Sequence, residues 1–265
     1  MKLTEEEKLA KVKELRPIDD VFFSVLAQNK EVCQEILRTI LGDKELVVTE
    51  VITQDSKRNF YGRSVILDAL CTLGDGRKCN IEVQRSDNDD HLKRVRFNAS
   101  SITVKDSQTG EDFSKIVDLC VIYISEFDVF GDGLTTYHID KVVRENGRFV
   151  DDGLREIFVN TAIDDGSDIA DLMRCFLQKS VNNPKFPKLS KAVSNLKETE
   201  GGREVVCKAV QDVYDRGIER GMKEERLKAI RTMSANDFSD ADIEKAGYTK
   251  EEIEEAKADI VPNEE

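Results

Sequence analysis

The chain has 265 residues, 39% of them hydrophobic, with 53 acidic and 40 basic side chains that leave a formal net charge of −13. The apolar share supports a packed core, and the longest clean apolar stretch, Leu119 to Ile124, is far short of the about 20 residues of a membrane span. The length exceeds the usual ~100–150 residues of a domain, so the expected organisation is a main domain over 1–180 and a helical extension over 181–265. Met1 to Leu15 is rich in Glu and Lys and is no signal peptide, which predicts a cytoplasmic protein with no membrane partner.

In chain order, Glu5 to Leu15 predicts a short helix ended by the Arg16-Pro17 step. Asp19-Asp20 can cap a helix carrying Val21, Phe22, Val25 and Leu26. A second helix follows from the spacing of Val32, Cys33, Ile36, Leu37, Ile40 and Leu41, with Gly42 as its stop. Leu46 to Gln54 is β-branched and predicts a strand. Val65–Cys71 and Lys78–Gln84 predict a hairpin turned by Gly74-Asp75-Gly76. After a polar loop, Leu92, Val95, Ala99 and Ile102 share one face of a helix. The apolar run Ile116 to Ile124 predicts a strand buried on both faces, and Tyr137–Val143 and Ile157–Ala162 can each add another.

From Ile169 onward the pattern is helical, broken at Asn182-Asn183-Pro184. Glu204 to Met233 predicts a long helix interrupted by Gly217 and Gly221, a character that suits an exposed or self-associating helix and hence a homo-oligomer. Ser239-Asp240-Ala241-Asp242 and Thr249-Lys250-Glu251-Glu252 resemble capping boxes, so two short helices close the chain. Residues 237–265 hold eleven acids and three bases. That charge makes a DNA-reading helix pair the weaker interpretation of this tail than a structural or partner-binding hairpin.

The hairpin concentrates the chemistry. A turn centred on Asp75 sets Cys71 against Cys79 and Asp68 against Glu82, with Cβ atoms of opposed residues about 4.5–5.5 Å apart. Two like charges that close require a cation, a shared proton or full solvation. Alternation puts Gln84 on the face of Glu82, while Leu67, Ala69, Ile81 and Val83 share the other. An oxygen-rich face of this kind suits a hard divalent cation and points to a metal-dependent phosphodiesterase. With both acids on the polar face, Asp68→Ala and Glu82→Ala are expected to leave folding intact. Residues 77–105 hold seven bases and four acids, a modest basic excess beside the acid pair, as phosphate binding requires. The six cysteines form no C-x-x-C pair and read as reduced thiols. The two histidines, His91 and His138, are too few and too distant for a histidine metal site.

These pieces in order resemble the PD-(D/E)XK nuclease superfamily, and within it the branch of PD-(D/E)XK nuclease family transposases, or recombination-promoting nucleases. The resemblance rests on Asp20-Val21-Phe22-Phe23, on Leu67-Asp68 before the turn, and on Asn80-Ile81-Glu82-Val83-Gln84. Lys93-Arg94 with Phe97 and Ser100, and Gly110-Glu111-Asp112-Phe113, complete it. It covers roughly Arg16 to Lys179, and residues 204–257 are similar to that branch's tail. It implies an α/β restriction-endonuclease-like core with a central mixed sheet flanked by helices. It also implies Mg²⁺-dependent cleavage of DNA, with Mn²⁺ or Ca²⁺ as alternative ions, in recombination, mobile-element biology or defence. Asp68 and Glu82 would hold the metal with help from the Val83 carbonyl. Gln84 stands where the superfamily has lysine and would orient the nucleophile. Asp20 would contribute from the first core helix, and Arg94, with Lys93 and Arg85, would contact DNA. The rival readings are a catalytically silent interaction protein that keeps the fold, and an RNA-cleaving toxin.

Overall fold

The sheet that organises the chain grows from the predicted hairpin. In a computed structural model, which describes residues 3–57 and 65–258, the described residues include a six-stranded mixed sheet. Its order is β1 (Val48–Lys57), β2 (Val65–Leu73), β3 (Lys78–Gln84), β4 (Leu119–Ser125), β8 (Leu154–Asn160) and β5 (Thr136–Ile139). Gly76, at φ +90°, makes the reversal between β2 and β3, and the Asp75 carboxylate accepts the Arg77 N–H at 3.0 Å. Cys71 then opposes Cys79, and Ala69 opposes Ile81. From β3 the chain crosses through helix α4 (His91–Asp106) and returns as β4, parallel to β3. Every residue of β4 is buried, as its unbroken apolar run demands of a strand covered on both faces.

Helices cover both faces of the hairpin. On one side Val95, Ala99 and Ile102 of α4 pack on Leu70, Val121, Tyr123 and Phe158. On the other, α3 (Lys30–Leu41) sets Cys33 beside Cys71. The next thiol pair, Cys79 and Cys120, stands side by side across β3 and β4. All six cysteines are free and buried. Helix α1 (Glu5–Glu14) is closed by a Thr4–Glu7 capping box. Next come α2 (Asp20–Leu26), then α5 (Asp168–Phe176) and α6 (Pro187–Glu198), which pack with α3. Lys197 of α6 donates to the Lys13 carbonyl at 3.1 Å and to the Leu15 carbonyl, tying down the segment that leads into α2. Gly42 ends α3 in the left-handed conformation, at φ +66°.

Three local expectations change. Asp19 stands at the α2 N-cap but makes no capping hydrogen bond, because its carboxylate instead accepts the Arg16 N–H at 2.6 Å. The strand expected from Ile116 starts at Leu119, because Asp112 caps a 3-10 turn over Phe113–Lys115 first. The single strand expected over Tyr137–Val143 divides at Asp140, a residue disfavoured in strands. Its first part, β5, pairs with β8; its second, β6 (Lys141–Val143), pairs with β7 (Arg148–Val150) in a separate ribbon.

The chain divides into two compact units, one over Thr4–Val210 and the other over residues from Gln211 onward with Leu3. Helix α7 (Glu200–Ala235) begins in the first and ends in the second. In the second, Leu227 and Ile230 bury against Ile243 of α8 (Asp240–Lys245) and Ile253 and Ala256 of α9 (Lys250–Ala258). Both short helices start at the expected caps: Ser239 Oγ accepts the Asp242 N–H, and Thr249 Oγ1 accepts the Glu252 N–H. Arg226 clamps Glu252 with two hydrogen bonds, of 2.6 and 2.8 Å. Residues 259–265 of the acidic tail lie outside the described residues. No helix among the described residues is long and apolar enough to cross a membrane.

Two helical glycines predict opposite responses. A Cβ on Gly202 would lie 2.7 Å from Leu196 Cα, against backbone that cannot yield, whereas one on Gly217 would meet nothing within 4 Å. Gly202→Ala should cost about 1–3 kcal/mol, and Gly217→Ala should gain about 0.5–1 kcal/mol, both read from urea unfolding midpoints.

Candidate active site

The site forms where the hairpin ladder stops. Regular β2–β3 pairing runs from Thr72 opposite Lys78 to Ala69 opposite Ile81, and the next step of that register sets Asp68 beside Glu82. There a side chain replaces the ladder: the Val83 N–H donates to Asp68 Oδ2 at 2.9 Å. Within a strand a residue's N–H and C=O point to the same edge, and successive residues alternate. The Gln84 carbonyl accepts the Glu126 N–H on the β4 side, so the Val83 carbonyl points to the Asp68 side. Glu82 Oε1 accepts Asn80 Nδ2 at 2.8 Å, and across the parallel pair Glu82 stands beside Tyr123.

The acid pair is not on a solvated face, which corrects the premise that Glu82 can be truncated without touching the core. Glu82 is 6% exposed, because α4 covers the face that alternation marks as polar. Burial, reinforced by Asp68, pushes Glu82 well above the usual carboxylate range, against the Asn80 amide and the Arg94 charge. Burial likewise raises Asp68 to about 7; Asp20 adds to the rise, while the Val83 N–H and Arg94 oppose it. Asp20, exposed at the first residue of α2, is nonetheless raised by the partial desolvation of its carboxylate and by Asp19, against Arg94 and Arg85. One guanidinium therefore acts on all three acids. Among the described residues Arg94 has only a long pairing to Asp90, at 3.4 Å, and its buried Nε has no hydrogen-bond partner there.

Asp68, Glu82, Asp20 and Arg94 thus share one electrostatic neighbourhood. Gln84 follows on the same strand, half-buried, and donates Nε2 to the Ser86 carbonyl at 2.7 Å. Arg85 is drawn elsewhere: it pairs with Asp19 at 2.7 Å and with Glu126 at 3.0 Å, and Arg16 shares Glu126 at 2.6 Å. Lys93 is exposed on α4. Two features escaped the sequence reading. Asn80 had a usable signal, since it lies two residues before Glu82 on the same face. The chain from the exposed Asp87 through the buried His91 to the buried Tyr123, at 2.9 and 2.8 Å, had none, because its hydroxyl sits inside an otherwise apolar run.

The donor set suits a hard cation. It offers two carboxylates and a neighbouring backbone carbonyl, all oxygen, and Mg²⁺ is typically held by one or two carboxylates with water completing its shell. The buried like-charged pair, with Arg94 as its cationic neighbour, is what such an ion would relieve. Among the described residues no three His, Cys, Asp or Glu side chains are grouped closely enough to hold a metal by themselves. Asp20 bears on the pair through its charge, which adds to the rise of Asp68.

A mixed sheet flanked by helices, with an acid pair where its second and third strands part, defines an α/β restriction-endonuclease-like protein. The family model of the PD-(D/E)XK nuclease family transposases matches residues 18–161, more than half of the chain, and the chain belongs to that family. Nucleases of this superfamily generally use divalent metals. No curated protein and no solved structure matches the chain.

The raised Asp68 value fixes the sign of a pH effect. An unfolded Asp titrates near 3.9, so the fold favours the protonated form, and this group's stabilising contribution is lost as pH rises from about 4 through 7. In EDTA, the melting temperature of wild type relative to Asp68→Asn should fall across that window. A constant difference would refute the assignment.

Proposed function

We propose that the chain is a divalent-metal-dependent endonuclease that hydrolyses DNA phosphodiester bonds. The observation that carries this reading is the convergence of Asp68, Glu82 and the Val83 carbonyl edge beneath Arg94, inside the segment matched by a nuclease family. Asp68 and Glu82 hold the ion, with Mg²⁺ the expected species and Mn²⁺ or Ca²⁺ the alternatives. Once bound, the ion supplies a water of lowered pKa and stabilises charge on the phosphate.

The remaining roles fall to the chain's own groups. Gln84 is a neutral amide and cannot serve as a general base. With Nε2 committed to Ser86, its Oε1 is the acceptor left to orient a water. Arg94, part-exposed and held among the described residues only by a long pairing to Asp90, offers its terminal guanidinium N–H groups to a phosphate oxygen, while Asp20 at the rim adds negative charge that favours cation entry. Lys93 is the neighbouring cation for the DNA backbone. Arg85 contributes indirectly, through its pairs with Asp19 and Glu126. The substrate class fits recombination, mobile-element movement or defence against foreign DNA.

Plasmid cleavage tests this directly. Wild-type protein should nick or linearise plasmid with Mg²⁺ or Mn²⁺ and stop in EDTA, and Glu82→Gln should abolish the cut while remaining folded. Arg94→Ala should lose about 10²–10³-fold in rate, the usual cost of removing one preorganised electrostatic donor, and Gln84→Lys should keep or raise activity. Cleavage of RNA with DNA left intact would reassign the substrate. Cleavage of neither, with any metal, would favour a silent scaffold.

A further inference from the structure

The side chain that holds Glu82 in place has a second, unspent function. Asn80 is fully buried, in a row where its neighbours on either strand, Leu70 and Val121, belong to an apolar cluster. Its Nδ2 donates to Glu82 Oε1 at 2.8 Å, and an acidic partner fixes which end of the amide points there. Its Oδ1 is buried with no hydrogen-bond partner among the described residues. A buried acceptor left unmade costs about 1–3 kcal/mol, and an aliphatic side chain would fill the same row without that cost. Packing alone therefore does not account for an amide here. Arg94 Nε and Asn98 Oδ1, on the helix above, are buried and unpartnered too. Unspent polar groups thus lie on both elements, β3 and α4, that bear on Glu82.

We propose that Asn80 is a positioning residue for the metal centre: its amide N–H fixes the Glu82 carboxylate for the cation, and its oxygen accepts an ordered water of the occupied site. The proposal rests on the reading of Asp68 and Glu82 as metal ligands. Groups hydrogen-bonded to metal ligands orient them, and their loss typically weakens metal affinity or activity by about 10–100-fold.

Calorimetric titration of the full chain with Mn²⁺, alongside its metal-free melting temperature, tests this. Asn80→Leu should bind Mn²⁺ about 10–100-fold more weakly than wild type while remaining cooperatively folded in EDTA. If that variant does not fold, Asn80→Val carries the same comparison. Equal Mn²⁺ affinity in wild type and a folded variant would overturn the role of Asn80 and leave the metal site standing. A melting temperature that falls in EDTA with affinity unchanged would make Asn80 a purely structural residue. No Mn²⁺ binding by wild type would overturn the metal-site reading, and this inference with it.

Discussion

Two carboxylates held side by side in a poorly solvated position constrain everything around them. Asp68 and Glu82 face each other because the hairpin register leaves no alternative, and they are shielded from water because α4 lies over them. Both therefore resist ionisation. The fold surrounds the pair with partial remedies: the Val83 N–H on Asp68, the Asn80 amide on Glu82, and the Arg94 charge above both. None of these cancels two negative charges. A small, highly charged cation is the kind of group that relieves such a pair.

The topology explains how such an arrangement is built at little conformational cost. A tight turn delivers β2 to β3, so Asp68 and Glu82 come together through local sequence alone. The crossover from β3 to β4 is α4 itself, so the helix that brings Arg94 is also the lid over the sheet. Acid pair and arginine all lie between Asp68 and Arg94 in the chain. Longer-range structure is needed for the surroundings: α2 brings Asp20 from the N-terminal side, and Glu126 after β4 captures Arg85 and Arg16. That second network holds the end of β3 against the start of α2 and pairs Arg85 within the protein.

The parts of this arrangement legible in the sequence are those set by local rules. Glycine placement gave the hairpin register residue by residue, and β-branched and apolar runs gave β3 and β4. Gly42 and the capping pairs at Ser239 and Thr249 marked helix ends correctly. What remained hidden depends on residues distant in the chain. Strand alternation labels Asn80, Glu82 and Gln84 as one polar face, and nothing local says that a helix will bury it. Arg85 looks like a free cation until Asp19 and Glu126 arrive. Asp19 looks like a cap, but its carboxylate is more strongly drawn to Arg16 and Arg85.

The thiols have a consequence for how this protein can be handled and watched. All six cysteines are shielded in the native state, four of them in adjoining pairs joining α3, β2, β3 and β4. A thiol-specific reagent can therefore react only when the chain opens, so labelling rates at Cys33, Cys71, Cys79 and Cys120 report the opening of the central sheet itself. Cys207, near the start of α7, reports separately on the opening of that helix. The same shielding ends on unfolding, when six thiols become free to pair at random, so reversible refolding calls for a reductant throughout.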